Sequence, residues 1–490
     1  MNKLKPYDKY KDSGIAWLGE IPEHWEQFKL KTIGFLYGGL TGKSGNDFKK
    51  DNHPNNKRYI PFTNIANNFI INNSQLDTVV FENNEKQNEV FKNDILFLMS
   101  SENFEDIGKT SLVKYDIEEV YLNSFCKGFR IANNNIDSNF LNYLFSADIN
   151  RKQLIVEARG FTRINLKMQK VKDLTFYLPM SITEQTAIAN FLDFKLAKID
   201  NFITKKKQLI KLLNEQKAAI INQAVTKGIG SLSGVETPNA KMKPSGIEWL
   251  GDIPEHWEVR RLATFGRFSK GGGISRSELT ENGIATILYG DIYTKYNICV
   301  TKIINRISKE TASNSVEIEE GDLLFTGSGE TKEDIGKCIV FLGKETTFAG
   351  GDVIIFKQGK YDNLFLSYSL NSNSAVFQKA RTAKGDIIVH TYGSKLRNIY
   401  IPIPQIEEQI QITKFIRKEC NKITISISKI EKEIALIQEY RTALIAEAVT
   451  GKIDVRGYVI PEMQKEKTSE NLKTELSLAA ENASEYQTKK

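Results

Sequence analysis

The chain has 490 residues, 40% hydrophobic and 26% charged, with a formal net charge of +7. That length exceeds one ordinary domain, and the mildly basic balance permits an acidic partner such as nucleic acid without requiring one. No apolar run approaches the ~20 residues of a bilayer-spanning helix, the N-terminus MNKLKPYDKYKDSG lacks an apolar signal core, and Cys126, Cys299, Cys338 and Cys420 are too scattered for a disulfide framework or a zinc site, so a reducing cytoplasm is the expected setting.

The first element, 1–26, contains the most informative stretch. Ser13–Glu26 reads SGIAWLGEIPEHWE and returns at Ser245–Glu258 as SGIEWLGDIPEHWE, with differences only at Ala16/Glu248 and Glu20/Asp252. All of the tryptophans, Trp17, Trp25, Trp249 and Trp257, lie inside it. Paired Trp, Ile and Pro predict a docking clasp. His24 and His256 have no Cys, Asp or second His at ligand spacing, which assigns them to packing rather than to a metal or a base.

Residues 27–180 follow as a globule. Short apolar runs such as Asp94–Leu98 read as strands, and the Asn-rich stretch Asn64–Asn73 reads as surface turns. Gly38-Gly-Leu-Thr-Gly42-Lys43-Ser44 is one residue short of a phosphate-binding P-loop, so it is read as a Gly-rich loop carrying a basic residue, Lys43. Further along the globule lies the segment Ser100-Ser-Glu102-Asn-Phe-Glu-Asp-Ile-Gly-Lys109.

A helix is predicted over 181–228. Ser181-x-x-Glu184 after Pro179 is a capping-box pattern. Ile199, Ile203, Lys206, Ile210, Leu213, Lys217, Ile220 and Ala224 then alternate steps of four and three, the mark of a coiled-coil seam.

The cycle repeats with a linker and second clasp (229–258), a second globule (259–404) and a second helix (405–452). Ser328-Gly-Glu330-Thr-Lys-Glu-Asp-Ile-Gly-Lys337 parallels the first globule's segment, and Lys270–Arg276 is its Gly-rich loop, with Arg276 as the basic residue. Glu408-Gln409 and Ala448–Thr450 repeat Glu184-Gln185 and Ala224–Thr226, and the second seam runs Ile423, Ile427, Ile430, Ile434, Ile437, Arg441, Leu444, Ala448. Lys217 and Arg441 share one seam position and are read as basic stems along the groove with their heads in water, with a register-setting polar interruption as the alternative. The polar tail, 453–490, is expected to be disordered. About 40 residues of each helix, roughly 60 Å at 1.5 Å per residue, form too long a stripe to bury on its own globule. The predicted fold is therefore α+β: two homologous β-rich globules separated by two long antiparallel coiled-coil helices, a pseudo-twofold tandem repeat.

Catalytic motifs fail on inspection. Asp322 with Glu330-Thr-Lys332 mimics an acidic nuclease triplet, but the first copy has Asp94, Glu102 and Phe104 and so lacks the lysine. Asn52-His53-Pro54-Asn55 lacks the paired prolines of an amino methyltransferase tetrad. No nucleophile–base pair and no metal set is assigned, and the chain reads as a binder.

Clasp, variable globule and Glu-Gln-started helix, then the same again, resemble the specificity subunit of type I restriction-modification enzymes. The resemblance covers about Ser13–Arg456, with IPEHWEVRRL at Ile253–Leu262 and LIAEAVTGKIDVRG at Leu444–Gly457 as its landmarks. It implies that each globule is a target-recognition domain reading half of a split, asymmetric site in double-stranded DNA. It implies two methylation subunits using S-adenosylmethionine, restriction subunits using ATP and Mg, and no cofactor on this chain. Lys43, Lys109, Arg276 and Lys337 are the candidate phosphate contacts, and Ser100, Glu102, Ser328 and Glu330 the candidate base readers. The competing readings are a coiled-coil scaffold that binds proteins without reading DNA, and a nuclease in its own right.

Overall fold

The computed structural model of the chain describes residues 5–48, 53–160, 163–230, 241–329, 331–332, 334–385 and 389–458. They form two compact units, Met1–Lys205 with Glu433–Lys490, and Lys206–Lys432. The boundaries fall inside the long helices, not at the repeat junction near residue 228. A helix stripe is buried only against its partner, so each helix half groups with the elements it packs on.

In the first unit the clasp is a hairpin of Tyr10–Asp12 and Glu20–Pro22. Trp25–Lys29 then pairs antiparallel with Thr175–Pro179, joining the entry and exit of the globule. Between them lie a four-stranded sheet, ordered Gly34–Gly38, Cys126–Ile131, Ile95–Leu98, Thr110–Leu112, and a three-stranded one. The run Ile95–Leu98 is buried throughout because the strand has a core on each face. Ile95 and Phe97 point into one cluster, Leu96 and Leu98 into another. The second unit repeats the plan. Its clasp strands are Met242–Pro244 and Asp252–Pro254, and Glu258–Arg261 pairs with Tyr400–Ile403. Leu323 and Phe325 again enter one core and Leu324 another.

Each clasp grips the start of a long helix through the repeated Glu-Gln pair. Glu184 accepts hydrogen bonds from Tyr7 Oη (2.9 Å) and Trp25 Nε1 (3.0 Å) and lies 2.9 Å from His24 Nε2. Glu408 likewise meets Trp257 Nε1 (3.1 Å) and His256 Nε2 (2.9 Å). Gln185 and Gln409 carry the next contact, each accepting a backbone N–H from the globule, Asp137 and Asp362, at 2.9 Å. The histidines are thus clasp residues, as their sequence context indicates. The tryptophans divide: Trp25 and Trp257 are fully buried, whereas Trp17 and Trp249 stay 44% and 38% exposed.

The helices span Ile182–Lys227 and Ile406–Val449. From Asn201 to Ala219 the only positions withdrawn from solvent are Ile203, Lys206, Ile210, Leu213 and Lys217, the predicted seam. From Asn421 to Ala443 they are Ile423, Ile427, Ile430, Ile434, Ile437 and Arg441. Within the first unit Asp200 pairs with Arg441 and Phe191 with Tyr458, so the segments run antiparallel. Within the second, Lys217 reaches Thr424 while Gly228 lies beside Glu408, with the same sense. The seam cations therefore do not simply trail into water: Arg441 Nε is 3.1 Å from Asp200 Oδ1, and Lys217 Nζ is 3.2 Å from Thr424 Oγ1.

The tail begins later than expected. Asp454 N donates to Lys5 O at 2.8 Å, Val455 is buried, and the Tyr458 ring packs on Phe191 at 4.9 Å. Residues 453–458 are thus part of the first unit's core, held by the clasp; 459–490 lie outside the described residues.

Gly451 ends the second helix in the left-handed region (φ +71°), and a Cβ there would sit 2.4 Å from the Pro22 ring. Gly228 ends the first helix with the same backbone (φ +77°) but with 3.6 Å of clearance to Trp257. Gly451→Ala should therefore cost about 2–3 kcal/mol and Gly228→Ala about 1 kcal/mol in urea unfolding. Equal costs would refute the role given to the Pro22 contact.

Candidate nucleic-acid interface

The Asp-Ile-Gly-Lys repeat folds as a turn with glycine at positive φ, +71° at Gly108 and +70° at Gly336. The turn aims its lysine at the C-terminal end of a short helix, where carbonyls lack intrahelical partners. Lys109 Nζ donates to Ala66 O (3.1 Å), within the helix Phe62–Asn67, and to Asp106 Oδ1 (2.5 Å). Lys337 Nζ donates to Tyr293 O (3.3 Å) and Tyr296 O (2.9 Å), at the end of the helix Tyr289–Thr294. Burial holds Lys337 below the usual lysine range, partly opposed by Asp334. Both lysines, expected on phosphates, serve as helix caps.

Lys43 and Arg276 are not equivalent either. Ser44 and Ser275 each open a 3-10 turn through a capping box, so Lys43 precedes the turn and Arg276 lies within it. The Lys43 side chain is 6% exposed, ion-paired with Glu85 and set over the Phe81 ring at 5.1 Å. Drawing Lys43 off to a phosphate would break that largely buried pair and leave the Glu85 carboxylate without its cation, which costs more than a surface contact returns. Arg276 is exposed.

Of the proposed base readers, Ser100 and Ser328 are buried in short strand pairs, Glu102 is exposed, and Glu330 lies outside the described residues. Ser100 pairs with Asn165, and Ser328 with His390. The Ser328 hydroxyl is 2.9 Å from His390 Nδ1; the Ser100 hydroxyl has no hydrogen-bond partner among the described residues. Asp322 and Asp94, the acids of the nuclease-like triplet, are structural. Asp94 is held by Arg130 (2.7 and 2.9 Å) and Tyr37 Oη (2.6 Å), and Asp322 lies 3.3 Å from Lys357. Burial raises the Asp322 carboxyl, against the pull of the Glu319 N–H and Lys357.

The second unit does contain an open basic cleft, of about 960 Å³. The strand Arg267–Lys270 forms one wall and His390, Thr391, Tyr392 and the helix Gly393–Leu396 with Arg397 form the other. Phe268 anchors the strand by packing on Phe356 (4.5 Å) and Phe325 (6.0 Å), which turns Arg267 and Ser269 to the opposite face, and Lys270 is exposed at the strand's end. Arg267, Lys270 and Arg397 are exposed, and Asp352 is the one acid among the lining residues. Cations beside an exposed aromatic, Tyr392, suit a phosphate backbone with bases nearby. The first unit has different chemistry on the corresponding strand, Phe35 and Gly38 in place of Arg267 and Lys270. There Phe62 and Phe125 are exposed neighbours (6.5 Å) with Arg163 stacked on Phe125 at 4.0 Å.

These cleft residues escaped sequence reading because their neighbours in space come from opposite ends of the globule. The available signal was a basic-Gly pair, Arg159-Gly160 and Lys384-Gly385, that recurs ahead of Asn165 and His390.

The family described as "Type I restriction modification DNA specificity domain" matches this chain twice, at residues 22–214 and 254–436. A Methanocaldococcus jannaschii protein, provisionally assigned as the type I restriction enzyme MjaX specificity subunit, is 28% identical over 460 residues, 90% of this chain and 96% of its own length. The type I restriction enzyme EcoKI specificity subunit of Escherichia coli K12 is 22% identical over 450 residues, 89% of this chain and 90% of its own. Among solved structures, a chain from a type I R-M system, solved to explain complex assembly and conformational transition, superposes with a TM-score of 0.67 at 14% identity, covering 88% of this chain and 99% of that one. The HsdS subunit from Thermoanaerobacter tengcongensis gives 0.50 at 14% identity, covering 88% and 98%.

Proposed function

The chain belongs to the type I restriction modification DNA specificity family, and from that premise we propose that its two globules each read one half of a split, asymmetric site in double-stranded DNA. It is a specificity subunit, recognising DNA sequence and directing partner subunits. The observation that supports a DNA surface on this chain is the basic cleft of Arg267, Lys270 and Arg397. Family matches over both halves favour this reading over a protein-only scaffold.

In the same reading the chain is non-catalytic. Adenine methylation belongs to two methylation subunits carrying S-adenosylmethionine, and cleavage to restriction subunits using ATP and Mg. No group of three or more His, Cys, Asp or Glu side chains able to hold a metal occurs among the described residues. The complex would work in the cytoplasm; among the described residues no helix is long and apolar enough to cross a membrane.

A genome-wide map of N6-methyladenine, made with the cognate methylation subunit and with or without this chain, tests the reading. A split motif present only with the chain is expected, and a map that does not depend on the chain would refute it. At the cleft, the triple variant Arg267→Ala, Lys270→Ala, Arg397→Ala should flatten the dependence of log K on log salt by about 2–3, at ~0.9 per phosphate contact. An unchanged slope would remove the cleft from the interface.

A further inference from the structure

One backbone position in each globule is paired on both sides and carries different chemistry in the two copies. Asn165 pairs with Ser100 on one side and with Arg159 on the other, where N–H to O distances are 2.9 and 3.1 Å. His390 pairs with Ser328 and with Lys384 in the same way, at 2.8 and 3.1 Å. Pairing on both sides fixes the Cα and the direction of the side chain, as a group that must discriminate between base edges requires. His390 lines the basic cleft. Its Nδ1 is engaged by the Ser328 hydroxyl, which leaves Nε2 for a ligand. Asn165 is exposed and uses its amide N–H once, to Arg163 O at 3.1 Å, so among the described residues its carbonyl oxygen and second N–H have no further partner. The serine beneath it is buried with an unpartnered hydroxyl, where the other globule has the Ser–His contact.

We propose that Asn165 and His390 are the paired specificity-determining residues of this chain, each choosing one base pair in the half-site of its own globule. The proposal rests on the DNA-reading function above. A carboxamide with a free acceptor and a free donor matches the N7 and N6 edge of adenine. An imidazole with one nitrogen engaged offers a single hydrogen bond, so the two halves demand different bases from the same scaffold position. Neighbouring cations bind phosphate and set register, while this position selects.

The test uses the full chain with its methylation subunit and the reciprocal variants Asn165→His and His390→Asn. Both substitutions keep a polar ring or amide of similar exposure, and thermal melts verify folding. Methylation maps and competition by duplexes altered at one base pair at a time are read for each. Each variant is expected to shift preference about tenfold or more at one base pair of a single half-site, with the other half-site unchanged. An unchanged motif, a preference change spread over both half-sites, or a uniform loss of binding across all sequences would overturn the proposal. If the unaltered chain itself directed no motif, the underlying function would fail instead, which separates the two.

Discussion

Glu184→Ala is expected to lower the unfolding free energy of the first unit by about 3–5 kcal/mol, the range for removing one partner of a buried charged network. The carboxylate is 5% exposed and receives Tyr7, Trp25 and His24 together. Its loss strands the indole N–H of Trp25, which is fully buried, and frees the clasp from the helix start. Glu408→Ala should cost less, about 1–2 kcal/mol, because that carboxylate is 27% exposed. Position 239, the counterpart of Tyr7, lies outside the described residues. Because every tryptophan sits in a clasp, urea unfolding followed by tryptophan fluorescence reads both sites directly. A Glu184→Ala cost equal to or below that of Glu408→Ala would contradict the account of the first clasp.

Lys379→Met should stabilise the second unit at neutral pH. Lys379 is 1% exposed and its Nζ donates to Gly336 O at 2.7 Å. Burial pushes its pKa down to about 8, partly opposed by the neighbouring Cys338 thiol. The other globule shows that an apolar residue fits. Leu154 lies under Gly108 as Lys379 lies under Gly336, and Arg151 reaches the turn carbonyls of Glu105 and Ile107 instead. An unfolded lysine titrates near 10.4, so between pH 8 and ~10.4 the unfolded chain binds more protons and stability rises with pH. Below pH 8 the full penalty is present, about 3 kcal/mol at ~1.4 kcal/mol per pH unit. Losing the bond to Gly336 O returns about 1 kcal/mol of that, leaving a net gain of about 2 kcal/mol. Denaturant midpoints should show the largest advantage for the variant at pH 7 and a smaller one near pH 10. An advantage that grew with pH would mean the lysine is not the destabilising group.

Local pattern carried the seam. Steps of four and three at Ile423, Ile427, Ile430, Ile434 and Ile437 are set by helix geometry alone, and burial follows them residue by residue. The Glu-Gln pair announced itself by recurring, although its task, receiving a buried indole, needed the partner elements. Lys43, Lys109 and Lys337 misled because a lysine in a Gly-containing loop looks the same in sequence whether it faces solvent or caps a helix. The deciding groups, Glu85 and the carbonyls of Ala66, Tyr293 and Tyr296, arrive only on folding.

By itself the sequence determined the duplication, the two amphipathic helices, the strand runs and the family, because these rest on periodicity and on repetition along one chain. The tertiary structure decided which cations remain outward, that residues 453–458 join the first clasp, that the compact units break inside the helices, and that Asn165 and His390 hold one shared position. Each of these depends on which distant segments meet, and so on burial and partner charge, which no spacing along the chain encodes.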